Sequence, residues 1–211
     1  MMTAMANKNN EVMKQPLWVN NPVAVQILGI CSALAVTAKL EPAIVMGLSV
    51  TIIVALSNVI ISLLRKTIPN RIRIIVQLVV VALMVIVVDQ VLKAYAYSID
   101  KQLSVYIGLI ITNCILMGRL EAFAMTNNVT DSLMDGLGNG FGYAMILVIV
   151  AFFRELLGSG KLLGFQIIPD SWYIANGGCY ENCGMMLMPA MALILVGCVI
   201  WAHRSINEDK K

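Results

Sequence analysis

Six apolar stretches, bounded by charged residues, occupy positions 15–38, 42–64, 74–88, 102–118, 136–153 and 182–207 of the 211-residue chain, the last of them containing Arg204 near its end, and they constrain its fold more than any other feature. A helix that crosses about 30 Å of hydrocarbon needs about 20 residues at about 1.5 Å each, and several stretches reach that length only by admitting a charge at one end. Strands of a membrane barrel would alternate polar and apolar residues; these stretches do not. The chain is 59% hydrophobic and 13% charged, against about 25% charged in soluble domains. The expectation is an all-α integral membrane protein of six transmembrane helices. A net charge of +3, scattered along the sequence, argues against a DNA or RNA partner.

Residues 1–22 carry Lys8, Lys14, Pro16 and the pair Asn20-Asn21, without the basic, apolar, small-residue order of a cleavable signal. They read as a polar N-terminal tail, 23–203 as the membrane domain and 204–211 as a polar C-terminal tail. Cytoplasmic loops hold most Lys and Arg. With the N-terminus inside, that side collects Lys8, Lys14, Arg65, Lys66, Arg71, Arg73, Arg204, Lys210 and Lys211, and the other side Lys39, Lys93, Lys101, Arg154 and Lys161. Nine against five, with Arg119 unassigned, places both termini in the cytoplasm. The basic loop from Arg65 to Arg73 needs no more than topology and anionic headgroups to explain it.

The sequence also echoes itself. IISLLRK at 60–66 resembles IVAFFRE at 149–155, and Lys39-Leu40-Glu41 resembles Arg119-Leu120-Glu121, each after a stretch with one cysteine. The separations are 89 and 80 residues, and 83 between Cys31 and Cys114, so an alignment of two copies needs gaps. Copies of three helices, about 23–99 and 103–203, would enter the membrane from opposite sides, giving the inverted repeat of many transport proteins. The first helix of each copy is short or broken. Positions 23–38 and 103–118 hold 16 residues each before a charged cluster, about 24 Å of helix. Short or interrupted segments at matching places point to a site near the bilayer midplane.

Each short segment carries a cysteine near its middle. Cys31 lies between Gly29-Ile30 and Ser32, and Cys114 follows Thr112-Asn113; small or polar neighbours can satisfy backbone groups freed by a helix break. A free cysteine is commonly a small buried hydrophobe, but two at equivalent positions also suit a metal, and a helix end favours the thiolate that binds one. A 2Fe-2S cluster takes four such ligands. Cys179 and Cys183 sit in a polar loop outside the membrane, and Cys198 is alone in the last helix. A cluster therefore requires a second subunit, most simply a pseudo-symmetric paralogue.

Two acids fall at membrane depth, where ionisable groups are functional candidates. Asp89 ends the third helix before Lys93, and Asp135 opens the glycine-rich entry to the fifth. Both offer hard oxygen to a small cation; both also fit as interfacial caps, Asp135 at a helix N-terminus. Glu41 and Glu121 read as snorkelling or pairing across the repeat interface, and Cys179-x3-Cys183 and His203 as peripheral. No nucleotide motif such as GxGxxG or a P-loop is present, so no NADH site is expected in this chain.

GICSALAVTAKLE at 29–41, ALSN at 55–58, RIIVQ at 73–77, VIVVDQVLKAY at 85–95, SVYIGLIITNCILMGRLEAFAM at 104–125, DGLGNGFGY at 135–143 and FFRELLGSGKL at 152–162 closely resemble the family of D subunits of the Na+-translocating NADH:quinone reductases. The likeness runs from about residue 20 to 163. It implies two inverted three-helix halves facing a paralogous E subunit, with two cysteines from each of the two proteins holding an intramembrane iron centre described as 2Fe-2S. Cys31 and Cys114 match the two cysteine positions, and Asp89 and Asp135 match acidic positions implicated in sodium movement. The resemblance further implies electron relay from the cytoplasmic F subunit, with its flavin and iron-sulfur centre, to the covalent flavin of the C subunit. It implies coupling to Na+ export, NADH oxidation elsewhere, and a complex of six subunits, A and B among them, in the bacterial inner membrane. The Rnf-type ferredoxin:NAD oxidoreductase has a homologous E subunit, but the KLE and VDQVLKAY segments look more like the quinone reductase. An alternative of another class, a secondary transporter of a small solute, shares the short midplane helices and predicts solute flux without iron. A purely structural subunit would tolerate loss of both cysteines.

Overall fold

The computed structural model describes residues 20–69, 71–95, 108–162, 165–166 and 184–208. Cys179 and Cys183, most of the N-terminal tail and the 96–107 connection lie outside the described residues. In order, the elements are α1 (Ile30–Val36), α2 (Leu40–Leu64), α3 (Arg73–Tyr95), α4 (Cys114–Arg119) running into a π-helical turn (Leu120–Ala124), α5 (Val129–Ser159) and α6 (Pro189–Glu208). A two-residue antiparallel ladder, Lys161–Leu162 with Phe165–Gln166, follows α5, and a 3-10 turn, Gly184–Leu187, precedes α6. The protein is an all-α integral membrane protein.

Four of these helices are long and apolar enough to cross a membrane: Leu40–Leu64, Arg73–Ala94, Val129–Gly158 and Pro189–Ile206. The first segment of each half is broken instead. Residues 21–29 form turns that end in two left-handed positions, Ile27 and Gly29, before α1 begins. In the second half, helical residues 108–111 stop at Thr112-Asn113, and α4 restarts at Cys114. With 7 residues, α1 extends only about 10 Å. The six apolar stretches thus resolve into four long helices and two broken segments, each restarting at or one residue before a cysteine.

Antiparallel packing of α2 on α5 forms the centre. Lipid tails are as apolar as Leu, so helices in a membrane associate through close packing of small residues rather than through hydrophobicity. Here a methyl group on Gly47 would stand 2.9 Å from Ala144 Cβ, one on Gly136 2.8 Å from Ala55 Cα, and one on Gly140 2.7 Å from Thr51 Cα. These pairs have a symmetry legible in their numbers. Gly136 follows Gly47, and Ala144 follows Ala55, by 89 residues, so the first two contacts are one contact exchanged between halves. Thr51 and Gly140 are also 89 apart and touch each other, which places the pseudo-two-fold axis between them. The helices start in the same register, Leu40 and Val129 again differing by 89.

That register accounts for the discordant echoes. IISLLRK and IVAFFRE are equivalent, reaching the ends of α2 and α5 with Arg65 and Arg154. The KLE and RLE triplets are not: Leu40-Glu41 opens α2, whereas Leu120-Glu121 lies in the π-helical turn. The second half runs 15 residues from Cys114 to the start of α5 and the first only 9 from Cys31 to the start of α2, and the π turn absorbs part of the excess.

On the outside, α3 and α6 carry Ile75, Val79, Leu83, Leu193, Ile194 and Trp201 exposed, as expected of helices facing lipid or other subunits.

Candidate functional site

The two breaks meet. Gly29, at φ +79, turns its N–H onto Cys114 Sγ at 2.8 Å. Only glycine adopts that backbone without strain, and space demands it too, because a methyl group there would lie 2.6 Å from Ile115 Cδ1 and 3.1 Å from Tyr143 Cε2. Asn113 caps α4, its Oδ1 accepting the Ile115 N–H at 3.2 Å, which stabilises the start of a very short helix. Its amide donates to Ser32 Oγ at 3.2 Å. Tyr143, wholly buried on α5, donates its hydroxyl to the same oxygen at 2.6 Å, and Ser32 in turn donates to the Gly29 carbonyl at 2.9 Å. One serine hydroxyl thus joins both breaks to the central helix, using its one proton and both lone pairs.

Cys31 and Cys114 lie on the open side of this knot. With Ser32, Leu109, Thr112 and Asn113 they line a hollow of about 90 Å³. Both thiols are free, Cys31 exposed and Cys114 partly so. Among the described residues no three His, Cys, Asp or Glu come together, so the described part of this chain brings two thiols and no further ligand of those types to the hollow. That donor set fits half of a four-thiolate cluster. The N–H of Gly29 is the kind of donor that stabilises negative charge on sulfur.

The acids expected near an ion path are placed but already engaged. Asp135 does not cap a helix N-terminus: α5 begins at Val129, and Asp135 lies well inside it, 2% exposed. It accepts from Arg119 Nε at 3.0 Å and from Arg119 Nη2, and from Asn139 Nδ2 at 3.0 Å. Arg119 also stands 5.4 Å from the Phe123 ring centroid. Pairing explains how a charge survives at this depth and why the fifth helix outruns the apolar stretch that marks it. Asp89 lies within α3 rather than at its end, and holds Lys93 at 2.5 Å one turn on. Neither acid borders the cysteine hollow.

Further polar contacts complete the frame. Asn21, assigned to the tail, is buried: its Oδ1 accepts the Val23 and Ala24 N–H groups, and its amide donates to the Gly142 carbonyl at 3.2 Å. Glu121 pairs with Arg73 and accepts from Gln77 at 2.9 Å. Cys198 is exposed on α6 and does not line the hollow.

Comparison with known proteins matches residues 9–200 to the Rnf-Nqr subunit family of membrane proteins. The D subunit of the Na(+)-translocating NADH-quinone reductase of Psychromonas ingrahamii is 55% identical over 207 residues, 98% of this chain and 97% of that protein. Its counterpart of the same name in Haemophilus influenzae is 57% identical over 201 residues, 95% of each chain. With its paired helix breaks, two thiols at their crossing and identity above one half across nearly its whole length, the chain belongs to the Rnf-Nqr family of membrane subunits.

Proposed function

We propose that the protein is the D subunit of a Na+-translocating NADH:quinone reductase and supplies Cys31 and Cys114 as half the ligands of an intramembrane iron centre shared with a paralogous E subunit. The observation that carries this reading is the juxtaposition of two free thiols at the meeting point of two helix breaks. The missing pair of thiolates comes from the partner across the open side. A 2Fe-2S cluster held there would accept and release one electron at a time between the flavin-bearing F and C subunits. The contribution of this chain is a rigid frame: the Gly29 N–H directs a dipole at the Cys114 sulfur, and Asn113, Ser32 and Tyr143 hold the two breaks at fixed separation. Hydrogen bonds to sulfur are among the levers that set a cluster's potential.

Sodium export is a property of the whole complex in this reading, and movement of an ion follows from electron transfer only if the redox states differ in ion affinity. The A and B subunits complete the assembly, in the bacterial inner membrane with both termini of this chain cytoplasmic. Iron and acid-labile sulfide assays with EPR on the purified complex test the ligand role. Cys31→Ala and Cys114→Ala should each remove one membrane iron signal from an assembled complex and stall electrons before the covalent flavins. Unchanged iron, sulfide and flavin reduction in both variants would refute it.

A further inference from the structure

Arg154 is the most completely buried charge among the described residues, 1% exposed near the end of α5. Its Nη1 donates to Thr37 Oγ1 at 2.6 Å and to the Leu34 carbonyl at 3.3 Å, and its Nη2 donates to the Leu187 and Met188 carbonyls at 2.7 and 3.3 Å. Leu34 and Thr37 end α1, the helix that carries Cys31, and Thr37 itself donates to the Ala33 carbonyl at 2.5 Å. The last carbonyls of a helix have no partner within it. In α1 they are satisfied by a cap whose hydroxyl is gripped by a guanidinium from the other half.

Arg65, 89 residues earlier and at the end of α2, does the same in reverse. Its Nη1 donates to the Asn127 carbonyl at 2.6 Å, which also accepts from Ser62 Oγ at 3.0 Å. Asn127 follows the π-helical turn that continues α4, the helix that carries Cys114. There Thr126, equivalent to Thr37 by the same shift of 89, donates to the Phe123 carbonyl at 3.1 Å. Because α2 and α5 are antiparallel, the two arginines sit at opposite ends of the bundle.

We propose that Arg154 and Arg65 are crossed positioning residues: each is planted in the long helix of one half and fastens the far end of the cysteine-bearing segment of the other. Among the described residues, neither guanidinium bonds Cys31 or Cys114. Together with the Ser32 knot at the near ends, they pin each short segment at both termini. The two fastenings are unequal, since Arg154 is buried and grips both Thr37 and Leu34 at the end of α1, whereas Arg65 is half-buried and holds the Asn127 carbonyl. Disturbance at Arg154 therefore matters more for Cys31 than disturbance at Arg65 does for Cys114. The consequence for the iron centre rests on the ligand reading above; the fastening itself does not.

Hydrogen–deuterium exchange on the purified complex tests it. Arg154→Gln should accelerate exchange in residues 30–37 by about tenfold or more, the size of one lost charge-assisted hydrogen bond, and leave 120–127 unchanged. Arg65→Gln should accelerate 120–127, by less, and leave 30–37 unchanged. Thr37→Val removes the acceptor without removing the charge and should give a smaller effect confined to 30–37, even if Arg154→Gln does not assemble. The line shape of the membrane iron signal should change in Arg154→Gln and return toward wild type in Arg154→Lys. Acceleration in both segments or in neither, or confined to the arginine's own helix, would overturn the crossed fastening. Crossed exchange with an unaltered iron signal would overturn its bearing on the centre and leave the ligand role standing, whereas wild-type complex lacking membrane iron would sink the ligand role alone.

Discussion

Gly29→Ala tests the locked crossing of the two breaks with a single methyl group. The residue's φ of +79 costs an alanine about 1–2 kcal/mol. The new Cβ would also stand 2.6 Å from Ile115 Cδ1, 3.1 Å from Ile115 Cγ1 and 3.1 Å from Tyr143 Cε2. Ile115 Cδ1 is a flexible tip and can swing away, but Tyr143 is wholly buried and tied to Ser32. Overpacking of this kind costs about 1–3 kcal/mol, so the total is roughly 2–5 kcal/mol. Gly197→Ala, in α6 with nothing within 4 Å of the added methyl group, is the control and should be neutral or stabilising by up to about 1 kcal/mol. Thermal unfolding of the detergent-purified complex, followed by near-ultraviolet signals, should show a lowered midpoint for Gly29→Ala and no lowering for Gly197→Ala. Exchange protection should fall in 30–37 and 114–119 together, since the Gly29 N–H bridges both segments. Equal midpoints for the two variants would refute the claim that the breaks are locked against each other.

Three further outcomes follow from the packing and the charges. Gly140→Val should block assembly of the α2–α5 pair more severely than Gly118→Ala, because the nearest neighbour of an added Cβ is Thr51 backbone at 2.7 Å in one case and the Leu28 Cδ1 tip at 3.3 Å in the other; yield of assembled complex reads this. Arg119→Gln should cost about 3–5 kcal/mol by leaving buried Asp135 without its cation, and Arg119→Gln with Asp135→Asn together should recover most of that loss, measured as a double-mutant cycle in thermal stability. Lys93→Ala should also lower stability, by less than Arg119→Gln, because it takes the cation from Asp89, whose side chain is 12% exposed, while Lys93 itself is 45% exposed.

Much of this architecture is legible in the sequence. Positions of the long helices follow from where charges are absent, and the brevity of the two first segments, with a cysteine in each, points to the breaks. Legibility fails where a charge is neutralised by a partner distant in sequence. Asp131 and Asp135 truncate the fifth apolar stretch to 136–153, yet α5 runs Val129–Ser159, because Asp135 is satisfied by Arg119. Arg154, assigned to a loop by the distribution of positive charge, is instead buried among carbonyls of α1 and the turn before α6. No local pattern announces such a contact: its partners lie 117 and 33 residues away.

The repeat is visible as an echo and misaligned in detail. Matching short charged triplets pairs Glu41 with Glu121, which occupy different structural places. The sequence offers shifts of 89 and 80, and packing selects the first, since Gly47 against Ala144 and Gly136 against Ala55 prove to be the same contact. Polar side chains in apolar company, Ser32, Asn113 and Tyr143, are readable as neighbours of the cysteines or not at all, since their common purpose requires the two halves to be brought together.

A high-resolution cryo-electron microscopy map of the intact complex tests the shared iron centre most directly. The expected result is strong metal density in contact with both Cys31 and Cys114 sulfur atoms, completed by two thiolates of a facing subunit, with the Gly29 N–H on Cys114. Thiols that face lipid or packed side chains, with no density between them, would contradict it.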